Sequence, residues 1–427
     1  MSIMLFPNVS PLLNKANHPA RISPMDKTDK TKLKDHRQIG QELDLFSFHD
    51  IAPGAVFWHH KGWTIYRALQ EFIREKLSLE GYQEISTPVM IKSDLFKKSG
   101  HWDFYHENMF SLDVEDESYS LKPMNCPEAS LVYATKTRSY HDLPLRLAEF
   151  GVLHRNELSG VLGGLFRVRQ FVIDDAHHFV RPDQIQDEIH KLLLLVVDFY
   201  KSLNFKPEFY FATKPDKAMG DSSLWKQAEV DLEQALKISK VKYGIKEKDG
   251  AFYGPKIDIH IKDSQDRDWQ LATIQLDFQI PERLKLEYTD KDGKAKRPVI
   301  IHRAILGSLE RFIAILTEHY QGAFPLWLCP TQTVIIPIAD RHSKFASSIV
   351  DTIELQKVRV ELDSRQETVG SKIRDATLQK VPYIGIIGDR ETKSGNISIR
   401  TREGKDLGQL KISQFLNKLK EQIDKKI

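Results

Sequence analysis

The chain has 427 residues, 41% of them hydrophobic and 28% charged, with a formal net charge of +3. That length can hold two cores, and the balance is that of an ordinary globular protein, which excludes a disordered or polybasic chain. Two cysteines, Cys126 and Cys329, exclude a disulfide scaffold, and no apolar run approaches the roughly 20 residues of a membrane span.

Residues 1–35 read as a flexible leader; Met1 to Met25 lacks acidic side chains and carries Lys15 and Arg21, a faint likeness to an organelle transit peptide. Gly62 to Glu80 places Ile65, Leu69, Phe72, Ile73 and Leu77 on one helical face, and Tyr82 to Ser86 follows as a strand ending before Pro88. SGHWDFY sets His101 between a small turn and two aromatics, and LKPMNCP sets Cys126 in a proline-flanked turn. Alone, each reads as packing: a lone histidine is mostly packed or solvated, a lone cysteine mostly a small hydrophobe.

The densest chemistry lies between Leu145 and Val180. An apolar strand runs to Leu153, a loop carries Gly160, Gly163 and Gly164, and Phe166 to Ile173 alternates as a second strand, with Arg167, Arg169, Phe171 and Ile173 on one face. Arg155 and Glu157 stand where the first strand enters the loop; an isolated R-x-E would be a surface ion pair. Two more arginines beside an aromatic suit a polyphosphate carrying a flat base. Asp174, Asp175, His177 and His178 follow directly.

Pro182 to Leu203 and Ser222 to Ser239 read as helices, and Lys256 to Ile261 as a strand with Ile257, Ile259 and Ile261 on one face. Trp269 to Phe278 is a further strand, where strict alternation puts Gln270 and Gln275 on opposite faces unless a bulge intervenes. Val299 to Arg303 is a strand, Gly307 to Tyr320 a helix with Arg311 near its start. Gln321 to Pro330 reads as the linker. Beyond it strands at Val334–Ala339, Val358–Leu362, Tyr383–Gly388 and Ile397–Thr401 interleave with helices near 342–355, 369–380 and 412–423, a compact and more basic α/β unit.

FGVLHRNELSG followed by GLFRVRQF resembles the second signature motif of class II aminoacyl-tRNA synthetases, and FRVRQFVIDDAHHF is similar to the threonyl-tRNA synthetases in particular. SGHWDFY, LKPMNCP, AFYGPKIDI, WQLATIQLDF and IHRAILGSLERF support the match, which runs from about Leu43 to the C-terminus. The resemblance implies an α+β catalytic domain, an antiparallel sheet with flanking helices over 36–320, then a linker at 321–331 and a smaller α/β anticodon-binding domain over 332–427. It implies a homodimer, ATP-dependent ligation of L-threonine to tRNA(Thr) through a threonyl-adenylate, and a location in the cytoplasm, with the mitochondrial matrix as the alternative.

The same resemblance distributes the roles. His101, Arg155 and Arg311 are the implied catalytic residues; Arg155, Glu157, Arg167, Phe171, Gln270, Gln275 and Arg311 hold ATP with its Mg²⁺; Met124, Asp175 and Tyr253 hold threonine; Gln366, Glu391 and Arg400 read the anticodon. Cys126, His177 and His302 are the implied ligands of one Zn²⁺, with His177 preferred to His178 because it aligns with the family's D-D-A-H. Three protein ligands leave positions open for the amino group and hydroxyl of threonine, a test that valine fails and serine passes.

Glu128 and Ala129 stand where the family continues Gly-His after MNCP, Ile173 where a glutamine is frequent, and Ala272 where a glycine lies near the amino-acid pocket, so its methyl could crowd threonine or reshape the floor. These departures keep open a paralogue that binds tRNA or ATP without charging; a synthetase for another small amino acid is disfavoured by the zinc trio. The leader is too short for an editing module of ~50 residues or more. The expectation is therefore a short enzyme that mischarges serine unless another protein edits in trans.

Overall fold

The computed structural model describes residues 33–426. The expected leader falls outside them except for its last three residues, where the Asp35 side chain accepts from the backbone N–H groups of Arg37 and Gln38 and so caps helix α1 (His36–Glu42). Helix α2 (His60–Leu79) follows, burying Ile65, Leu69, Phe72, Ile73 and Leu77 on the face that the 3.6-residue period sets out.

The centre is an eight-stranded sheet. Its strands in chain order are β1 (Gln83–Glu84), β2 (Leu145–His154), β3 (Gln170–Val180), β4 (Glu208–Ala212), β5 (Tyr243–Lys246), β6 (Lys256–Lys262), β7 (Asp268–Asp277) and β8 (Val299–Ser308). They lie in the order β5-β4-β6-β7-β8-β3-β2-β1, with the inner six antiparallel and each edge strand parallel to its neighbour. Beyond the short helix α3 (Cys126–Ala134), helices α4 (Ile185–Ser202), α5 (Ser222–Ile238) and α6 (Leu309–His319) pack on one face of the sheet. Ile257, Ile259 and Ile261 are fully buried there in one core with Phe199, Leu232 and Ile313. The opposite face is open and carries His177, His302 and Gln275 side by side.

Two of the expected elements have different bounds from those read in the sequence. The second strand of the arginine hairpin begins at Gln170 rather than Phe166, because Gly164–Phe166 forms a single 3₁₀ turn, so Arg167 and Arg169 project from irregular chain ahead of the strand. The strand at Val299 continues to Ser308, whose hydroxyl accepts from the Arg311 backbone N–H and caps α6.

The C-terminal sheet has the order β10-β9-β11-β12-β13, with β9 (Thr333–Pro337), β10 (Val360–Leu362), β11 (Tyr383–Ile387), β12 (Asn396–Thr401) and β13 (Asp406–Lys411). Helices α7 (Ser343–Glu354), α8 (Val369–Leu378) and α9 (Ile412–Asp424) complete it. The sequence reading missed β13, a polar edge strand with no buried residue, and the short helix Asp389–Ser394. The stretch expected as a linker is itself core: Phe324, Trp327, Leu328 and Cys329 are buried against the larger domain. Arg402 donates to the Phe324 carbonyl at 2.9 Å, and Arg359 to those of Cys329 and Trp327 at 2.8 and 2.7 Å.

Candidate functional site

Residues directly opposed in a sheet share a face, so the register lists what the open side presents. One row across the strands reads Leu147, His177, His302, Gln275 and Lys256; the next reads Glu149, Asp175, Ala304, Thr273 and Asp258. Along β3, alternation turns Phe171, Ile173, Asp175 and His177 to this side and Asp174 and His178 to the other.

The two histidines are neighbours on adjacent strands with ring centroids 4.9 Å apart. Cys126, in the first turn of α3 rather than in an open turn, comes over them. Its thiol and one ring nitrogen of each histidine lie within 4.8 Å of one another, and all three residues are buried. Nε2 of His177 and Nδ1 of His302 are buried without a hydrogen-bond partner. Nε2 of His302 donates to Asp277 Oδ2 at 3.0 Å, and Asp277 Oδ1 accepts from the backbone N–H groups of Gln279 and Ile280. A metal-binding histidine is commonly oriented by such a carboxylate. Burial and the nearby carboxyls of Asp175, Asp277 and Glu128 push the thiol well above its ordinary value, while burial and His302 hold His177 well below its own. Unpartnered imidazole nitrogens beside a thiol are a donor set suited to Zn²⁺, and an ion bound there would favour the thiolate.

His178 turns to the helix side, where its ring meets Glu188 at 3.1 Å and the Tyr82 hydroxyl at 2.8 Å. Asp174 is likewise structural: it accepts from Arg303 and from the backbone N–H groups of Ile305 and Leu306. Asp175 faces the cysteine–histidine trio. Burial pushes its carboxyl up to about 6, although the Asn125 amide donates to it at 3.0 Å. Tyr253 donates its hydroxyl to Gln275 at 2.8 Å, and its ring lies 5.2 Å from that of His302. Met124 packs in the adjoining apolar cluster.

Three arginines gather beyond this end. The Arg155 guanidinium lies 5.0 Å over the Phe171 ring and 5.6 Å over that of Tyr105. Arg167 pairs with Glu157 at 2.8 Å, and Arg311 donates to the Phe166 carbonyl at 3.1 Å. Burial, then Arg155 and Arg167, hold Arg311 below its ordinary value. Like charges converging on a half-buried site invite a polyanion. Gln270 and Gln275 do share the open face. The pairing of β6 with β7 slips by one residue between Ile259 and His260, so Leu271 is the extra residue of a bulge.

His101 is buried with Ser99 Oγ 2.8 Å from its Nδ1 and with Nε2 unpartnered. Burial, then His302 and Arg283, lower it to about 3, so its proton affinity is far weaker than that of an ordinary imidazole. In the C-terminal unit Gln366 and Arg400 are exposed, whereas Glu391 is buried and its carboxylate accepts from Ser398, Gln409 and the Gly388 backbone.

Among the departures, Ala272 requires a correction. It is fully buried and opposes Ile259, so its methyl points into the core beneath the sheet and not into the amino-acid pocket. Ile173 does line the open face, between Phe171 and Asp175. Glu128 is buried with both oxygens unpartnered, and burial pushes its carboxyl up to about 8. Sequence reasoning missed Asn125 and Asp277. The first was legible only as the one polar residue between Met124 and Cys126, the second as a carboxylate at a strand end.

Residues 107–320 match the family "tRNA synthetase class II core domain (G, H, P, S and T)", and 332–422 match "Anticodon binding domain". A threonine–tRNA ligase of Caldanaerobacter subterraneus subsp. tengcongensis is 50% identical over 395 residues, 92% of this chain and 61% of that protein. One of Carboxydothermus hydrogenoformans is 49% identical over 398 residues, 93% of this chain and 63% of its own. The chain thus spans somewhat under two thirds of these curated relatives. Among solved structures, the RNA binding domain of threonyl-tRNA synthetase from Cryptosporidium parvum Iowa II superposes with a TM-score of 0.89 at 40% identity, covering 91% of this chain and 98% of that one.

Proposed function

The chain belongs to the threonyl-tRNA synthetases, a family of class II aminoacyl-tRNA synthetases, and from that membership we propose that it activates L-threonine with ATP and transfers it to tRNA(Thr). The observation that carries the reading is the convergence of Cys126, His177 and His302 from three separated segments. A zinc ion held by them would supply open coordination positions for the amino group and hydroxyl of threonine.

The chain's own groups divide the remaining work. Asp175, steadied by Asn125, accepts the threonine hydroxyl, and the Tyr253–Gln275 pair, with Met124 beside it, bounds the amino end. As the carboxylate attacks the α-phosphorus of ATP and pyrophosphate leaves, Arg155 and Arg311 offset charge on the phosphoryl oxygens together with Mg²⁺ carried by the nucleotide. Arg167, swung from Glu157, grips the phosphate tail, while Phe171, Gln270 and Gln275 face the nucleoside. The terminal ribose hydroxyl of tRNA then attacks the carbonyl and AMP departs. His101 Nε2, neutral and unpartnered, fits a hydrogen-bond acceptor that orients this hydroxyl better than a base that keeps its proton.

In the C-terminal unit the exposed Gln366 and Arg400 are the proposed contacts to bases of the anticodon; Glu391 would join them only in exchange for Ser398 or Gln409. A homodimer is proposed from family membership alone. The proposed setting is cytoplasmic translation; among the described residues no helix is long and apolar enough to cross a membrane. Serine differs by one methyl, worth ~1–3 kcal/mol, so this site alone separates the two amino acids modestly and a separate step must clear seryl-tRNA.

The test is metal content together with amino-acid-dependent pyrophosphate exchange. One zinc per chain, exchange with threonine, weaker exchange with serine and none with valine are expected. A metal-free protein that exchanges fully with threonine would overturn the zinc reading, and exchange driven by an unrelated amino acid would overturn the substrate.

A further inference from the structure

His36, in the first turn of α1, is 2% exposed and lies between helix α6 and the loop that leads into Arg167. On one side, its backbone N–H and Nδ1 both donate to Glu318 Oε1 on α6, at 2.9 and 2.7 Å. On the other side, Nε2 accepts from the Leu165 backbone N–H at 3.0 Å. The ring also meets Phe166 edge-on, with centroids 4.4 Å apart. Gly164 makes room for it: a Cβ there would lie 2.3 Å from Nε2, and φ is +54°. The two hydrogen bonds fix the neutral tautomer, because Nδ1 must carry the proton and Nε2 the lone pair.

The segment it clips, Gly164–Phe166, is the single turn leading into Arg167. The rest of that loop supplies little packing, since Gly160 and Gly163 have open space around them. The same turn is bound a second time, by Arg311 through the Phe166 carbonyl. Arg311 and Glu318 lie about two turns apart on α6. The imidazole therefore joins the loop bearing one phosphate-facing arginine to the helix bearing the other.

We propose that His36 is a positioning residue of the nucleotide site, fixing the Gly164–Phe166 turn on α6 so that Arg311 and Arg167 are held ready for the ATP phosphates. This rests on the ATP role assigned above. A clip of this kind acts on a ligand it never touches, by removing the cost of ordering the groups that do.

Two substitutions separate the two halves of the clip. In His36→Asn the short amide reaches only the Nδ1 position and keeps the Glu318 bond, whereas in His36→Gln the amide oxygen reaches the Nε2 position and still accepts from Leu165. Calorimetric titration with Mg·ATP is expected to give about tenfold weaker binding for His36→Asn, the effect of one lost hydrogen bond to an ordered loop, and near-normal binding for His36→Gln, which stays tied to Glu318 through the backbone N–H of residue 36. Metal content and the KM for threonine should stay within about twofold of the unaltered protein, which a merely structural lesion would not spare. Gly164→Ala forces the ring away from the opposite side and should also weaken ATP binding, which gives a second reading if His36→Asn folds poorly. Equal ATP affinity across the three variants and the unaltered protein overturns the proposal, as does parallel loss of ATP, threonine and metal binding in all three. Unaltered protein that binds ATP but fails threonine exchange defeats the substrate assignment and leaves this inference standing; unaltered protein that binds no ATP defeats both.

Discussion

Asp277 and His302 form a pair in which the carboxylate fixes which ring nitrogen carries the proton. Replacing that carboxylate by an amide keeps the two backbone contacts but turns a donor toward Nε2, which drives the proton to Nδ1, the nitrogen left unpartnered for the proposed ion. Asp277→Asn is therefore expected to weaken zinc binding about 10–100-fold, read by competition with a chromophoric chelator. Unchanged affinity would show that His302 is oriented by something else. Ala272 makes the opposite point, since its methyl lies under the sheet. Ala272→Gly should leave the KM for threonine within about twofold while lowering stability by about 0.5–1 kcal/mol in urea titrations. A large change in threonine affinity would place the methyl in the pocket after all. Much of the trio was legible as residue types in known motifs, because ligand chemistry restricts the choice to sulfur and imidazole. Asp277 and Asn125 were not, because a polar residue that orients another has no signature until the fold brings the two together.

On β3 the same alternation that turns His177 to the site turns its neighbour to the helices. His178 is buried beside Glu188, which also takes a two-pronged contact from Arg146, at 2.7 and 2.6 Å. Burial lowers the His178 imidazole to about 4 from the ordinary 6.5. Between those values the unfolded chain binds a proton that the folded chain refuses, so stability falls as pH drops from 6.5 toward 4. Burial alone would raise the Glu188 carboxyl, but His178 and Arg146 hold it well below its ordinary value; its contribution is present above the unfolded value near 4.5 and is lost at lower pH. Urea midpoints across this range should decline, and His178→Gln should flatten the upper part of the slope; an unaltered slope would assign it to other groups. The strands and helices themselves were largely readable from period and punctuation. The bulge at Leu271 was not placed, because a register slip depends on the partner strand, and β13 was invisible because its side chains alternate without burying anything.

The two units are joined by residues that behave as core. Trp327 is 4% exposed and packs on Phe72 with centroids 5.0 Å apart, and Lys61 and Gln379 meet across the same boundary at 2.8 Å. Proteases active on exposed loops should therefore spare 321–331, and Trp327→Ala should cost about 3–5 kcal/mol and open that stretch to cleavage. Prompt cutting of the unaltered chain there would contradict it. Turn-forming and bulky residues in QGAFPLWLCP suggested a tether from sequence because composition alone does not distinguish a loop in water from one folded under a neighbouring domain. With that stretch fixed, the gap between the cysteine–histidine trio and Arg400 is a constant of the folded protein. Under the proposed function an RNA that engages both ends would have to match it, so the molecule would serve as a gauge of length, and a helical arm of the wrong length would be turned away on span alone.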